Sequence, residues 1–282
     1  MVYFFLDFIF KCILHFQFFK GAASGIGKGY ALELAKDGFN IFFIDKHEDD
    51  SIATKKELQH LGVQCDFIIY DFGVLGCSNE ANKLKASLDA ALKGKDVAIL
   101  INNVAEFQHE EFANVSTDTI FRATNVNCHA QAILTSYFLK KLMARPAKSA
   151  LVSVGTNAAE PQNPRYKFAL YGATKSYNHI LSSGLEECYG DKIDIMTVIP
   201  RQTKTKMNPA DYMFTATPEQ HAKAVVDQFG WESKTYGPLM HDLEYNLRFV
   251  YSFGLFDNFV QYCNKNRSEK MIKIYENNKK SN

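Results

Sequence analysis

From Gly21 onward, short runs of β-branched and aromatic residues alternate with longer stretches whose apolar positions recur at helical spacing. That alternation builds a parallel sheet covered by helices on both faces. The runs predicted as strands are Asn40 to Ile44, Val63 to Tyr70, Val97 to Asn102, Ala150 to Val154 and Asp194 to Ile199. Each is mostly apolar, as expected where both sheet faces are buried. Helices are predicted over Gly25 to Lys36, Ser78 to Leu92, Thr117 to Met143 and Ala169 to Tyr189. Thr217-Pro218-Glu219-Gln220 reads as a capping box with proline at the first helical position, so another helix starts there. The chain shows no internal repeat, low-complexity tract or linker. The fold class that follows is α/β, a single domain with a doubly wound parallel sheet.

The N-terminus departs from this pattern, because Met1 to Phe19 is mostly apolar yet carries Asp7, Lys11 and His15, four residues apart on one helical face. A membrane helix here would be barely long enough, and its charged stripe would be costly in hydrocarbon. A signal peptide would lack a small-residue cleavage site before Gly21 and would remove the strand that must feed the glycine turn. The strand reading is preferred: Ile13 to Phe19 runs into Gly21, with Phe16 and Phe18 alternating with His15 and Gln17. The chain then divides into an apolar extension at 1–12, a nucleotide-binding domain at 13–240, and an aromatic segment with a basic tail at 241–282.

Composition narrows the functional classes. The 282 residues fit one contiguous α/β domain, and 32 basic against 31 acidic side chains leave a net charge of +1. With 46% apolar residues, this excludes a disordered chain and a nucleic-acid binder driven by overall positive charge. The six cysteines are scattered without a CxxC pair, which fits free thiols and a cytosol-facing protein. No HExxH, paired Cys/His cluster, Walker lysine or GxSxG elbow is present, so zinc chemistry, nucleotide hydrolysis and ester hydrolysis find no support and no metal is expected.

Gly21-Ala22-Ala23-Ser24-Gly25-Ile26-Gly27 sits between a predicted strand and a predicted helix. In that setting backbone N–H groups and a helix N-terminus hold a pyrophosphate. The next strand ends at Asp45, 18 positions after Gly27, close to the spacing at which a carboxylate accepts from the adenosine ribose. This favours NAD, although Lys46 follows at once and could pair with the 2′-phosphate of NADP. Asp71 ends the third strand, placed to accept from an adenine amino group or simply to form a turn before Phe72-Gly73.

Tyr171-Gly172-Ala173-Thr174-Lys175 opens a long predicted helix, and four-residue spacing puts the phenol and the ammonium on one face. A nearby cation lowers a phenol's pKa, so Tyr171 could donate a proton to a carbonyl oxygen or remove one from an alcohol. Taken alone, such a pair is also what a solvated helix face looks like.

In this order and setting, Gly21 to Gly27, Asn102-Asn103-Val104-Ala105 and Tyr171 to Lys175 resemble the TGxxxGxG, NNAG and YxxxK motifs of the short-chain dehydrogenase/reductase family, over roughly residues 13 to 240. The resemblance implies a Rossmann fold in which Gly21, Ser24, Gly25, Ile26, Gly27 and Asn103 hold NAD or NADP. It further implies that Tyr171 is the acid/base, that Lys175 also bonds the nicotinamide ribose, and that Asn127 supports a proton relay. Gly25 to Ala31, the Asn-Asn-Val variant, Pro200-Arg201, and Gly237-Pro238-Leu239-Met240-His241 are similar to the branch of 17β-hydroxysteroid dehydrogenases and 3-oxoacyl-CoA reductases of the endoplasmic reticulum. That branch implies a small lipophilic substrate and a cytosol-facing reticulum location, with a cytoplasmic one as the alternative. Lys279-Lys280-Ser281-Asn282 has the form of a dilysine retrieval signal. The aromatic positions from Tyr245 to Tyr262 would serve an apolar substrate, peripheral membrane contact or a homodimer surface.

Three positions depart from the family pattern. Its substrate-orienting serine normally lies thirteen residues before the tyrosine, where this chain has Ala158; strand alignment selects Thr156 instead, with Ser153 expected to be structural. Lys20 replaces the threonine that closes the glycine turn, and Ala105 replaces the last glycine of NNAG. Both touch cofactor placement, so a catalytically silent dinucleotide-binding or scaffold protein is the rival expectation.

Overall fold

The structure, a computed structural model, describes residues 15–160, 166–209 and 214–251, with 265, 266, 269, 272 and 273. Seven parallel strands form one sheet among the described residues, in the order β3-β2-β1-β4-β5-β6-β7. They are β1 (Phe16–Lys20), β2 (Asn40–Asp45), β3 (Cys65–Ile69), β4 (Val97–Asn102), β5 (Ala150–Val154), β6 (Asp194–Val198) and β7 (Lys234–Thr235). The strand order reverses between β1 and β4, and at such a switch point the strand ends splay into a crevice. Gly21, Asp45, Asn103, Gly155 and Ile199 follow or close the carboxyl ends of β1, β2, β4, β5 and β6, so the chemistry-bearing segments meet there.

Eight helices flank the sheet among the described residues: α1 (Gly25–Lys36), α2 (Glu48–His60), α3 (Ser78–Ala91), α4 (Thr117–Thr124), α5 (Ala130–Met143), α6 (Ala169–Tyr189), α7 (Pro218–Val226) and α8 (Leu239–Tyr251). Alternation along β1 splits its side chains between two cores. Phe16 and Phe18 pack with Phe42, Leu134 and Phe138 on one face, and Phe19 packs with Tyr30, Leu34 and Phe43 on the other. Both faces of the strand are buried, and so is Gln17, whose amide finds no hydrogen-bond partner among the described residues.

Several expectations shift. The first strand, expected over Ile13 to Phe19, forms over Phe16–Lys20, with residues 13 and 14 outside the described residues. The strand expected over Val63 to Tyr70 contracts to Cys65–Ile69. α2 was not anticipated, because EDDSIATKKELQH buries only Ser51, Thr54 and Leu58 and so carries almost no apolar stripe. The helix expected over Thr117 to Met143 is interrupted by a π-helical turn at Asn125–His129 that separates α4 from α5. The capping box is as expected: the Thr217 hydroxyl accepts from the Gln220 N–H while the Gln220 side chain accepts from the Thr217 N–H. Cys65, Cys77, Cys128 and Cys188 are free thiols. Among the described residues no helix is long and apolar enough to cross a membrane, and no cluster of three metal-ligating side chains occurs. The dilysine tail and most of the Tyr245 to Tyr262 stretch lie outside the described residues.

Candidate active site

The carboxyl ends of the strands enclose a cleft of about 560 Å³. At one end the chain leaves β1 through Gly21, whose φ of +84° only glycine adopts readily, and its N–H donates to the Ile44 carbonyl. Gly27 stands behind the turn. A Cβ there would lie 2.0 Å from the Gly21 carbonyl oxygen and 2.5 Å from Asn103 Nδ2, the group that donates to that same carbonyl at 3.0 Å. Ser24 precedes α1 without capping it through its side chain, and the first turn of α1 holds no acidic residue. The leading N–H groups of α1 are therefore open to an anion, and Ser24, Gly25 and Ile26 line the cleft. The built turn fits a dinucleotide pyrophosphate.

Asp45 closes β2 with its carboxylate accepting from the N–H groups of Ala23, Lys46 and His47 at 3.2, 2.8 and 3.2 Å. Both Asp45 and Lys46 line the cleft, but the Lys46 ammonium lies 3.7 Å from the Glu106 carboxylate. Glu106 also sits 3.4 Å from Arg122, which donates twice to Asp71 at 2.9 and 3.2 Å. Burial opposes ionisation of Asp71, yet the bonds from Arg122 and the Gly73 N–H outweigh it and hold its carboxyl below the usual range. Asp71 thus forms the turn with Gly73 and also lines the cleft.

At the other end α6 presents Tyr171 and Lys175 one turn apart, both buried and both on the cleft wall. The Thr156 hydroxyl accepts from the Ala158 N–H at 3.3 Å and lines the same stretch of the cleft as the Tyr171 phenol. Lys175 donates to the Val154 carbonyl at 2.8 Å, tying α6 to the end of β5. Burial pulls the Lys175 ammonium down to about 8. The expected lowering of Tyr171 by its lysine is corrected here: burial pushes the phenol up to about 12, and the group that pulls it back is Thr156. Phe107 and Phe168 pack edge-on against the Tyr171 ring at 5.1 and 6.4 Å, and Ala105 and Ala158 complete an apolar wall.

Residues 18–213 match the model of the short chain dehydrogenase family. The chain belongs to the short-chain dehydrogenase/reductase family. It is 30% identical over 233 residues to a very-long-chain 3-oxoacyl-CoA reductase of Caenorhabditis briggsae, covering 79% of this chain and 71% of that protein. It is 29% identical over 236 residues to the human protein named inactive hydroxysteroid dehydrogenase-like protein 1, covering 80% and 69%. Among solved structures, a short-chain dehydrogenase from Sphingobium yanoikuyae in complex with NADPH superimposes with a TM-score of 0.70 at 22% identity, covering 86% of this chain and 95% of that one. The relatives thus include a named reductase and a protein named as inactive, and the chain is an oxidoreductase by family.

Within this short-chain dehydrogenase/reductase frame, one cleft gathers Gly21, Ser24, Gly25, Ile26, Asp45, Lys46, Asp71, Asn103, Thr156, Tyr171 and Lys175. Gly27 and Asn127 are not on its wall. Asn127 is fully buried behind it: its amide oxygen accepts from the Glu106 N–H at 2.7 Å, and its amide nitrogen donates to the Glu106 carbonyl and Thr174 Oγ1 at 3.0 and 2.9 Å. The Asn127 side chain is thereby committed to holding the wall together. Ser153 is structural, accepting from Gln131 at 3.0 Å within the sheet. Sequence reasoning missed Glu106, Arg122, Phe107, Phe168 and His179, whose Nε2 faces the Thr156 N–H at 3.4 Å. Only the position of Glu106 and Phe107 just after Asn102-Asn103-Val104-Ala105 carried a signal. A bound nicotinamide cofactor supplies hydride exchange. For that chemistry the protein's own residues offer a buried phenol to carry the proton, a threonine hydroxyl to hold the oxygen, and a lysine within the same helix turn.

Proposed function

We propose that this protein interconverts a ketone and a secondary alcohol on a lipophilic substrate, a steroid or a 3-oxoacyl-CoA, with NAD or NADP as cofactor. The observation that carries the reading is the convergence of Tyr171, Lys175 and Thr156 at the apolar end of the cleft that begins at the glycine turn. Tyr171 exchanges the proton with the substrate oxygen. Thr156 orients that oxygen, and Lys175 bonds the nicotinamide ribose and supplies the nearby positive charge. Asn127 supports the proton relay from behind the wall, and Gly21, Ser24, Gly25, Ile26, Gly27 and Asn103 form the cofactor cradle. Asp45 takes the adenosine ribose and Asp71 the adenine amino group, and Asp45 tilts the preference toward NAD. Phe107, Phe168, Ala105 and Ala158 support an apolar substrate.

The nucleotide-binding domain is taken as 13–240, and the reticulum location, cytosol-facing, rests on the likeness to the reductase branch. Exposed Phe121, Tyr177 and Ile180 on neighbouring α4 and α6 support a homodimer. Titration of the purified protein with NADH and NADPH, followed by ketone reduction with Tyr171→Phe alongside, tests the reading. Binding of either cofactor with turnover lost in Tyr171→Phe is expected. Cofactor binding with a phenotype indifferent to that substitution would favour a silent scaffold.

A further inference from the structure

A lysine is almost never fully buried without a partner. Lys20, the last residue of β1, is 1% exposed in the middle of the sheet, where the family has a threonine. Its side chain turns toward the face occupied by α4 and α5, its ammonium lies 5.4 Å from the Phe72 ring, and Nζ donates to the Val126 carbonyl at 2.7 Å. Val126 belongs to the π-helical turn Asn125–His129. A turn of this kind is rare, is wider than the α-helix on either side of it, and recurs at functional sites.

What the turn carries makes its support consequential. Val126 precedes Asn127, whose amide clasps the Glu106 backbone on one side and Thr174 on the other. Thr174 directly precedes Lys175. The Lys20 carbonyl meanwhile accepts from the N–H groups of Asn103 and Val104 at 3.2 and 2.9 Å. One residue therefore joins the exit of β1, the segment after β4 and the widened turn. Burial lowers the Lys20 pKa well below its ordinary value, with the charge of Lys175 adding to the effect. An amine donates to a carbonyl in either protonation state.

We infer that Lys20 is a positioning residue: its side-chain amine, bonded to the Val126 carbonyl, fixes the widened turn and so sets Asn127 and the Thr174–Lys175 stretch of α6 against the cleft. This rests on the proposed roles of Tyr171 and Lys175 only for its catalytic consequence; the effect on the turn stands apart from them.

Three readings on the full chain test it: amide hydrogen exchange across Asn125–His129, thermal midpoint, and the split between kcat and KM with NADH and a ketone. Lys20→Met keeps the length and removes the donor. Exchange in the turn is expected to speed up about tenfold, the scale set by losing one buried hydrogen bond. The thermal midpoint should hold or rise, since an apolar side chain of the same length removes the cost of burying the amine. Turnover should fall about tenfold while NADH affinity stays within about twofold. Lys20→Gln, with a shorter donor, should fall between wild type and Lys20→Met, and if Lys20→Met does not fold the same readings on Lys20→Gln decide. Unchanged exchange in the turn overturns the inference, and so does a loss of turnover that merely tracks a lowered midpoint. If wild type reduces no ketone, the proposed function fails, and the exchange reading alone still decides the role of Lys20.

Discussion

The Glu106 carboxylate stands 3.7 Å from the Lys46 ammonium on the wall of the cleft, next to the Asp45 carboxylate that closes β2. In the proposed reading Lys46 meets the 2′-phosphate of NADP, and Glu106 holds its ammonium while adding negative charge beside it. Glu106→Gln is therefore expected to strengthen NADPH binding about two- to fivefold with little change for NADH. That range corresponds to a partly exposed ion pair worth about 0.4–1 kcal/mol. Fluorescence titration with both cofactors checks it, and equal shifts for NADH and NADPH would remove Glu106 from cofactor choice.

The Thr156 hydroxyl pulls the Tyr171 phenol down against burial. Removing it raises the phenol further, so in the oxidation direction, which needs the ionised phenol, the rise in kcat/KM with pH should move to higher pH in Thr156→Val. If Thr156 orients the substrate oxygen as proposed, losing its hydroxyl should also cut turnover by about 100-fold. Thr156→Ser, which retains the hydroxyl, should recover most of both. A pH profile of Thr156→Val that overlays wild type would separate Thr156 from the proton step.

The Arg201 Nε donates to Glu244 of α8 at 3.0 Å, with side-chain exposures of only 1% and 9%. Cutting a buried pair from one side is destabilising, by up to about 3–5 kcal/mol. Arg201→Met should lose about that much in urea unfolding, and Arg201→Met with Glu244→Met should regain a large part of it. If the double variant is no more stable than the single one, the pair is not what anchors α8.

The strand alternation, the glycine turn and the Tyr171 to Lys175 spacing were legible in the sequence because each is a local pattern with a fixed period. Such patterns also located Thr156, since counting from the end of β5 needs only the strand. α2 escaped because its inner face is Ser51 and Thr54 as much as Leu58, which no apolar periodicity reports. The π-helical turn was equally invisible: one extra residue per turn over Asn125–His129 leaves the apolar spacing of the flanking helices intact. The partners of Asp71 and Lys46 were hidden for another reason. Arg122 lies 51 positions from Asp71, and only the folded sheet brings their helix and strand ends together. Lys20 could be seen as a departure from the family pattern, but its contact with Val126, 106 positions away, could not.

His221 on α7 offers a stability test independent of activity. It is fully buried, with Nδ1 3.2 Å from the Tyr30 hydroxyl and its ring 6.0 Å from that of His241. Burial, reinforced by the nearby His241, holds its pKa down to about 3. In the unfolded chain the imidazole takes up a proton near its ordinary 6.5, while the folded chain keeps it neutral. The unfolded state thus binds more protons across this window. Stability is flat above about pH 6.5, falls as the pH drops from there toward 3, and changes no further below it on account of this group. The slope approaches about 1.4 kcal/mol per pH unit, or about 2 kcal/mol between pH 7 and 5. His179, held down to about 4 chiefly by burial, adds in the same direction. Urea unfolding at pH 7.5, 6 and 5 should show this decline, and His221→Gln, which can still bond Tyr30 without titrating, should make it shallower by that amount. Parallel curves for wild type and His221→Gln would mean that the buried imidazole is not the group that sets the acid limb.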